Sequence, residues 1–236
     1  MKTATLARWF VQSSTSLNCN LNYTDTKNSE KSEFFFYAGV KLSFLILLAY
    51  NEDGDRMIRT MTEQELKKVY AEYMMIDFPE DERKPLHVIL SRFRKKQNLC
   101  LCYVEGDDIK GYSILEFSEK NRCLLMDYFA VLPDVRNQGI GTRFMQEMKE
   151  YFKDWNALLI ESECAFDEIS QKRLEFYQRC GAFISHEVVH LYHVNYEILA
   201  IPLNQNFELD QVKKVMNEIY EKIYPKAFQK LFLRWK

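Results

Sequence analysis

The feature that most limits what this chain can fold into is an uninterrupted succession of strand, glycine loop and helix. The run Asp127 to Val131 has strand character. It is followed by Pro133, by Arg136-Asn137-Gln138-Gly139-Ile140-Gly141, and then by Phe144, Met145, Met148, Tyr151 and Phe152 at helical spacing. Glycines at a helix start leave its first N–H groups open beside the positive end of the helix dipole. They also let an anion approach without a Cβ in the way. The unit reads as a phosphate-binding turn, to which Arg136 adds a positive charge.

Two familiar versions of such a turn are excluded. A nucleotide triphosphatase loop needs Lys followed by Ser or Thr directly after its last glycine, and here Thr142-Arg143 follow Gly141. A dinucleotide fingerprint needs a third glycine where Phe144 stands, and it belongs to the first strand–helix unit of a doubly wound sheet. Four apparent strands precede this loop. Taken alone, two glycines also suit a tight turn without a ligand.

The patterning around the loop is that of a single domain. Thr62 and Glu65 form a capping box ahead of Leu66, Val69, Tyr70, Tyr73 and Met74 at helical spacing, and Pro85 opens a second helix through about Lys96. Leu99 to Val104, Ile109 to Phe117 and Cys123 to Val131 read as a meander of strands joined by charged turns. Beyond the loop helix come a buried strand at Ala157 to Ile160 and a helix from Ser170 to Cys180 stopped by Gly181. Strands at about Phe183 to His190 and Val194 to Ile201 follow, then a helix from Leu209 to Tyr224 stopped by Pro225. The class is α/β with a mixed sheet.

Upstream of Met57 the character changes. Residues 11–33 are rich in Ser, Thr and Asn and read as poorly ordered chain. Residues 34–50 are strongly apolar but short for a membrane span, and Lys41 lies near their middle. Asp25, Glu30 and Glu33 before this run, with no small-residue cleavage pattern after it, argue against a secretory signal. The expectation is that 1–56 form an extension outside the domain, with a membrane anchor at 34–50 as the alternative.

Charge and cysteine usage narrow the partners. Against 34 acidic residues stand 32 Lys and Arg, with no long basic run, so a nucleic-acid partner is not expected. Cys19, Cys100, Cys102, Cys123, Cys164 and Cys180 form no C-x-x-C pair, which suits a reducing cytoplasm. Cys100 and Cys102 alternate within an apolar run and read as buried structural thiols. His186 and His190 would face one way on a strand and His193 the other, with no acid or thiol to complete a set, so no metal is expected.

The segment V-L-P-D-V-R-N-Q-G-I-G-T-R-F-M closely resembles the acetyl-CoA loop of the GNAT superfamily of N-acetyltransferases, whose core pattern is R/Q-x-x-G-x-G/A. Downstream, R-L-E-F-Y-Q-R-C-G-A-F is similar to the family's helix motif with a Phe-Tyr pair, a Gly and a closing Phe. The likeness covers roughly Met57 to Pro202. It departs from the family at Ser170, where Asn is frequent, and at Arg173, where a small residue is usual. The resemblance implies a mostly antiparallel sheet with helices on both faces and a splayed pair of parallel strands. It sets an N-acetyltransferase domain at 57–206, followed by a C-terminal helical segment at 207–236.

The resemblance further implies that strand Leu125 to Val131 is bulged and that Phe129, Ala130 and Val131 meet the pantetheine arm through main-chain atoms. Arg136, Asn137, Gln138, Gly139, Ile140, Gly141 and Thr142 would hold the phosphates of acetyl-CoA. Acetyl transfer to a primary amine needs a base, because such an amine has a pKa near about 10. Glu161 and Glu163 share one face at the end of a strand, and Asp127 lies in the neighbouring strand, so three carboxylates are candidates. Tyr177, the Tyr of the F-Y pair, corresponds to the family's frequent general acid for the departing thiolate. The acceptor is expected to be a small-molecule or peptide amine, with a homodimer left open and membrane association not expected. A non-catalytic acyl-CoA-binding sensor is the alternative. It would keep the Gly139 loop but tolerate loss of Tyr177 and the acids.

Overall fold

The computed structural model describes residues 57–80, 82–191 and 193–236. The expectations for 1–56, including the apolar run at 34–50, lie outside the described residues. β1 (Ile58–Thr60) leads into α1 (Glu63–Val69), at whose start Thr62 and Glu65 make both reciprocal bonds of the capping box. The helix continues through a π-helical turn, Tyr70–Met74, into a last α-helical turn, Met75–Asp77. Its Leu66, Val69 and Met74 are buried. After Pro85 comes α2 (Leu86–Arg94), followed by the meander β2 (Leu99–Glu105), β3 (Asp108–Ser118) and β4 (Cys123–Val131).

The glycine loop then opens α3 (Ile140–Tyr151), which returns the chain to β5 (Ala157–Glu163), parallel to β4. α4 (Glu168–Arg179), β6 (Phe183–Leu191) and β7 (Val194–Pro202) follow, and then α5 (Val212–Ile223), α6 (Lys226–Phe232) and β8 (Leu233–Trp235). Among the described residues the eight strands form one sheet in the order β1-β2-β3-β4-β5-β7-β6-β8, in which only β4 and β5 are parallel neighbours. The expected α/β class and mostly antiparallel sheet are thus observed.

Helices cover both faces of the sheet, and the strand alternation decides which side chains meet them. Leu158 and Ile160 of β5 turn toward α3 and α4, into a core with Phe144, Met148 and Tyr177. Ala157 and Leu159 turn the other way, toward Val215, Met216, Ile219 and Tyr220 of α5. On that second face α1 and α2 cover β2 to β4, with Cys100 and Cys102 buried as expected. Phe144 lies fully buried between the rings of Tyr103 (5.5 Å) and Phe129 (5.2 Å), so truncation to Ala would cost about 3–5 kcal/mol.

Two readings need correction. The helical reading of 207–236 misses β8, whose edge pairing with Val189–Leu191 is a long-range event that no local pattern announces. The expected alternation of the histidines also fails. His186 has φ +63° inside a register shift between Ile184 and Val188, and His193 sits in the turn between β6 and β7. A bulge resets which way the following residues face.

Candidate active site

The two parallel strands pair only from Cys123↔Ala157 to Met126↔Ile160, although β4 runs on to Val131 and β5 to Glu163. The divergence begins where β4 carries an extra residue. Leu115 pairs with Met126 and Ile114 with Tyr128, so Asp127 has no partner on β3. A bulge bends and twists its strand, which accounts for the splay and agrees with the bulge the resemblance implied. Beyond it, Phe129, Ala130 and Val131 stay paired to β3 on one side and present a strand edge to the gap on the other.

A cavity of about 1180 Å³ opens into this gap. One part is walled by Phe129, Ala130, Val131, Arg136, Asn137, Gly139, Ile140, Gly141 and Thr142, and another by Asp127, Glu161, Glu163 and Tyr177. Every expected site residue but one therefore borders the same space. The exception is Gln138, whose side chain turns back to donate to the Asp134 carbonyl at 3.2 Å. Among the described residues, no group of three or more His, Cys, Asp or Glu is arranged to hold a metal ion.

The loop has the backbone of an anion cradle. Asn137 (φ +62°) and Gly139 (φ +77°) both lie in the left-handed region, a turn geometry that gathers N–H groups into a concavity. Gly139 directly precedes α3, and no side chain caps that helix start. Gly141 packs closely: a Cβ there would stand 3.3 Å from the Phe176 ring of α4, which would have to yield slightly. The Arg136 guanidinium is already engaged. Its Nε donates to the Val131 carbonyl at 2.9 Å and its Nη2 to Asp77 Oδ1 at 2.6 Å.

The three carboxylates have different surroundings. Asp127 is ion-paired to Lys84 at 2.6 Å, and Lys84 is only 8% exposed. The Lys84 ammonium also stands 3.9 Å from Glu116 and over the Tyr224 ring at 5.5 Å. Glu116 is in turn held by Arg92 at 2.6 Å, although burial pushes its carboxyl up against the pull of both cations. Glu161 keeps part of its surface open to the cavity while its carboxyl lies deep among protein atoms. Burial raises that carboxyl to about 7, against the pull of a hydrogen bond donated by the Tyr220 hydroxyl of α5. Glu163 sits nearer the surface, 3.9 Å from Arg173. Tyr177 packs beside Phe176 on the opposite face of the sheet, and burial raises its phenol to about 12.

Sequence reasoning did not find Lys84, Tyr220, Tyr224 or Asp77. Lys84 sits in the charged run Glu82-Arg83-Lys84, where nothing in the local pattern marks it for burial. Tyr128 brings it inside, accepting a hydrogen bond from the Lys84 N–H and donating one to the Glu82 carbonyl. Ser170, where the family frequently has Asn, completes a capping box with Asp167 at the start of α4.

The site is thus a bulged strand splayed from its parallel neighbour above a glycine loop. The sequence matches the acetyltransferase (GNAT) family over residues 64–182, just over half of the chain, and the chain belongs to that family. That family is one of acetyltransferases. Its fold is similar to a GNAT-family protein from Bacteroides thetaiotaomicron, with 16% identity, a TM-score of 0.57, and coverage of 71% of this chain and 97% of that one. It is also similar to the ribosomal-protein-S18-alanine N-acetyltransferase from Escherichia coli (15%, 0.51, 64% and 97%). A third likeness is to yncA from Salmonella typhimurium, solved with its cofactor acetyl-CoA (10%, 0.50, 64% and 95%). No curated protein matches the sequence. No helix among the described residues is long and apolar enough to cross a membrane.

Proposed function

We propose that this protein moves an acetyl group from acetyl-CoA to a primary amine by direct attack of the amine on the thioester. The observation that carries the reading is that Glu161 and Tyr177 reach one cavity from opposite faces of the sheet, at the gap between β4 and β5. Acetyl-CoA as co-substrate is supported by the loop, whose left-handed Asn137 and Gly139 precede an uncapped helix start, and by the strand edge at Phe129, Ala130 and Val131. The acetyl-CoA bound to the Salmonella protein of similar fold agrees with this. When bound, the co-substrate supplies an activated acyl carbon and a thiolate leaving group.

The residues divide the proton chemistry between them. Glu161, with a carboxyl poised near about 7, takes the proton the amine must lose, and Tyr220 fixes its orientation. As the C–S bond breaks and the C–N bond forms, the Tyr177 phenol, kept protonated by burial, gives a proton to the sulfur. A main-chain N–H of the Phe129–Val131 edge meets the carbonyl oxygen as charge develops on it. Asp127, tied to Lys84, serves structure and field rather than proton transfer, and Glu163 draws a cationic acceptor toward the mouth. Purified protein, acetyl-CoA and a panel of primary amines, read by release of free thiol, test the reading. Release that depends on one or more amines is expected. Acetyl-CoA binding with no amine-dependent release across small amines and peptides would favour a sensor instead.

A further inference from the structure

The glycine loop and the opposite wall of the cavity are joined by one ion pair. Asp77 closes the last turn of the first helix, and the described residues after it, 78–80 and 82–85, line that wall and include Lys84. Arg83 folds the start of this segment back, donating to the carbonyls of Met75 at 3.2 Å and Phe78 at 2.8 Å. Tyr128 and Asp127 hold its far end. Its near end rests on Asp77, whose two oxygens are each taken. Arg136 of the loop donates to Oδ1 at 2.6 Å, and Tyr112 of β3 donates its hydroxyl to Oδ2 at 2.8 Å.

We propose that Asp77 is a positioning residue that couples occupancy of the glycine loop to the order of the acceptor wall, acting through Arg136. The inference rests on the reading above that the loop holds the phosphates of CoA. The Asp77 side chain is only 9% exposed, and a carboxylate so enclosed cannot give up its cation without a large desolvation cost. Arg136 therefore keeps its bond to Asp77 when a phosphate arrives. A guanidinium has five donors, and only Nε and Nη2 are spent on Val131 and Asp77. An anion bound to the loop restrains Arg136, Arg136 restrains Asp77, and Asp77 restrains the wall residues 78–80 and 82–85. Because such coupling is reciprocal, an amine bound against that wall tightens the hold on CoA by the same factor.

Amide hydrogen exchange of the full chain with and without saturating CoA, alongside calorimetric titration with CoA, tests this. In the wild type, CoA slows exchange in peptides spanning 75–90 as well as in the loop. Arg136→Ala binds CoA about tenfold more weakly and, at saturation, protects the loop but not 75–90. Asp77→Asn keeps the size and the acceptor for Tyr112 while removing the charge, and shows the same loss of remote protection with a smaller change in affinity. The two variants cut the pair from opposite ends, so a folding defect in one leaves the other decisive. Wild-type remote protection retained in a folded variant at saturating CoA overturns the coupling, as does its absence from wild type that binds CoA. Failure of wild type to bind CoA at all would instead remove the reading of the loop.

Discussion

The cofactor side of the cavity is made from nearly continuous chain: β4, a turn and the first residues of α3 fall within Phe129 to Thr142. The acceptor side is assembled from Tyr70, residues 78–80 and 82–85, Asp127, Glu161, His193 and Tyr224, held by bonds that span 43 residues from Lys84 to Asp127 and 59 from Glu161 to Tyr220. A local site rests on backbone conformation and helix ends, which sequence spacing encodes directly. A non-local site rests on desolvated charge, and its members cannot be told from surface residues until the chain is folded. The first region should thus fail through affinity, and the second through chemistry and stability.

Glu161→Gln should show the largest change. It removes the base while keeping the shape and an acceptor for Tyr220, so turnover at neutral pH should fall on the order of a hundredfold or more with CoA affinity unchanged. The same variant gives a stability test. The folded carboxyl is raised to about 7 while the unfolded one titrates in the ordinary carboxylate range, so the folded state binds the proton more tightly. The stability this contributes is complete at acid pH and is lost as pH rises through about 7, by at most about 3 kcal/mol. Urea unfolding should find Glu161→Gln gaining on wild type between pH 5 and pH 8; equal differences at both would refute the raised carboxyl.

Lys84→Met should cost about 3–5 kcal/mol in unfolding experiments, because it leaves Asp127 enclosed without its cation. Adding Asp127→Asn should recover most of that loss. A double variant as unstable as the single one would mean that Lys84 matters through packing rather than charge.

Tyr177→Phe keeps the ring and removes the hydroxyl. Turnover should drop about a hundredfold where chemistry limits the rate, with the Michaelis constant for acetyl-CoA little changed. Wild-type turnover in this variant would move the proton donor elsewhere.

Gly139→Val probes the local region. A β-branched residue at φ +77° is strained by roughly 1–3 kcal/mol, and relief of that strain would turn the loop N–H groups away from the anion. Calorimetry should show weaker CoA binding by about tenfold, with the turnover number at saturating acetyl-CoA less affected. Unchanged affinity in a folded variant would remove the phosphate-loop assignment.

What the sequence made legible follows the same division. The capping box at Thr62, the meander, the loop and the helix carrying Tyr177 lie in periodic or glycine-marked stretches, and the structure has them where the spacing predicts. The sequence marks Asp127, Glu161 and Glu163 as acids on neighbouring strands, but not their different characters, because those come from Lys84, Tyr220 and Arg173 on distant segments. β8 and the backbone reversal at His186 escaped for a related reason, since edge pairing and bulges answer to tertiary context rather than to local preference.

A crystal structure with CoA tests the central claim most directly. The account predicts the pyrophosphate on the N–H groups between Asn137 and Thr142, the pantetheine arm along Phe129 to Val131 in the β4–β5 gap, and the sulfur within hydrogen-bond reach of the Tyr177 hydroxyl. CoA bound outside that gap, or with its sulfur remote from both Tyr177 and Glu161, would contradict it.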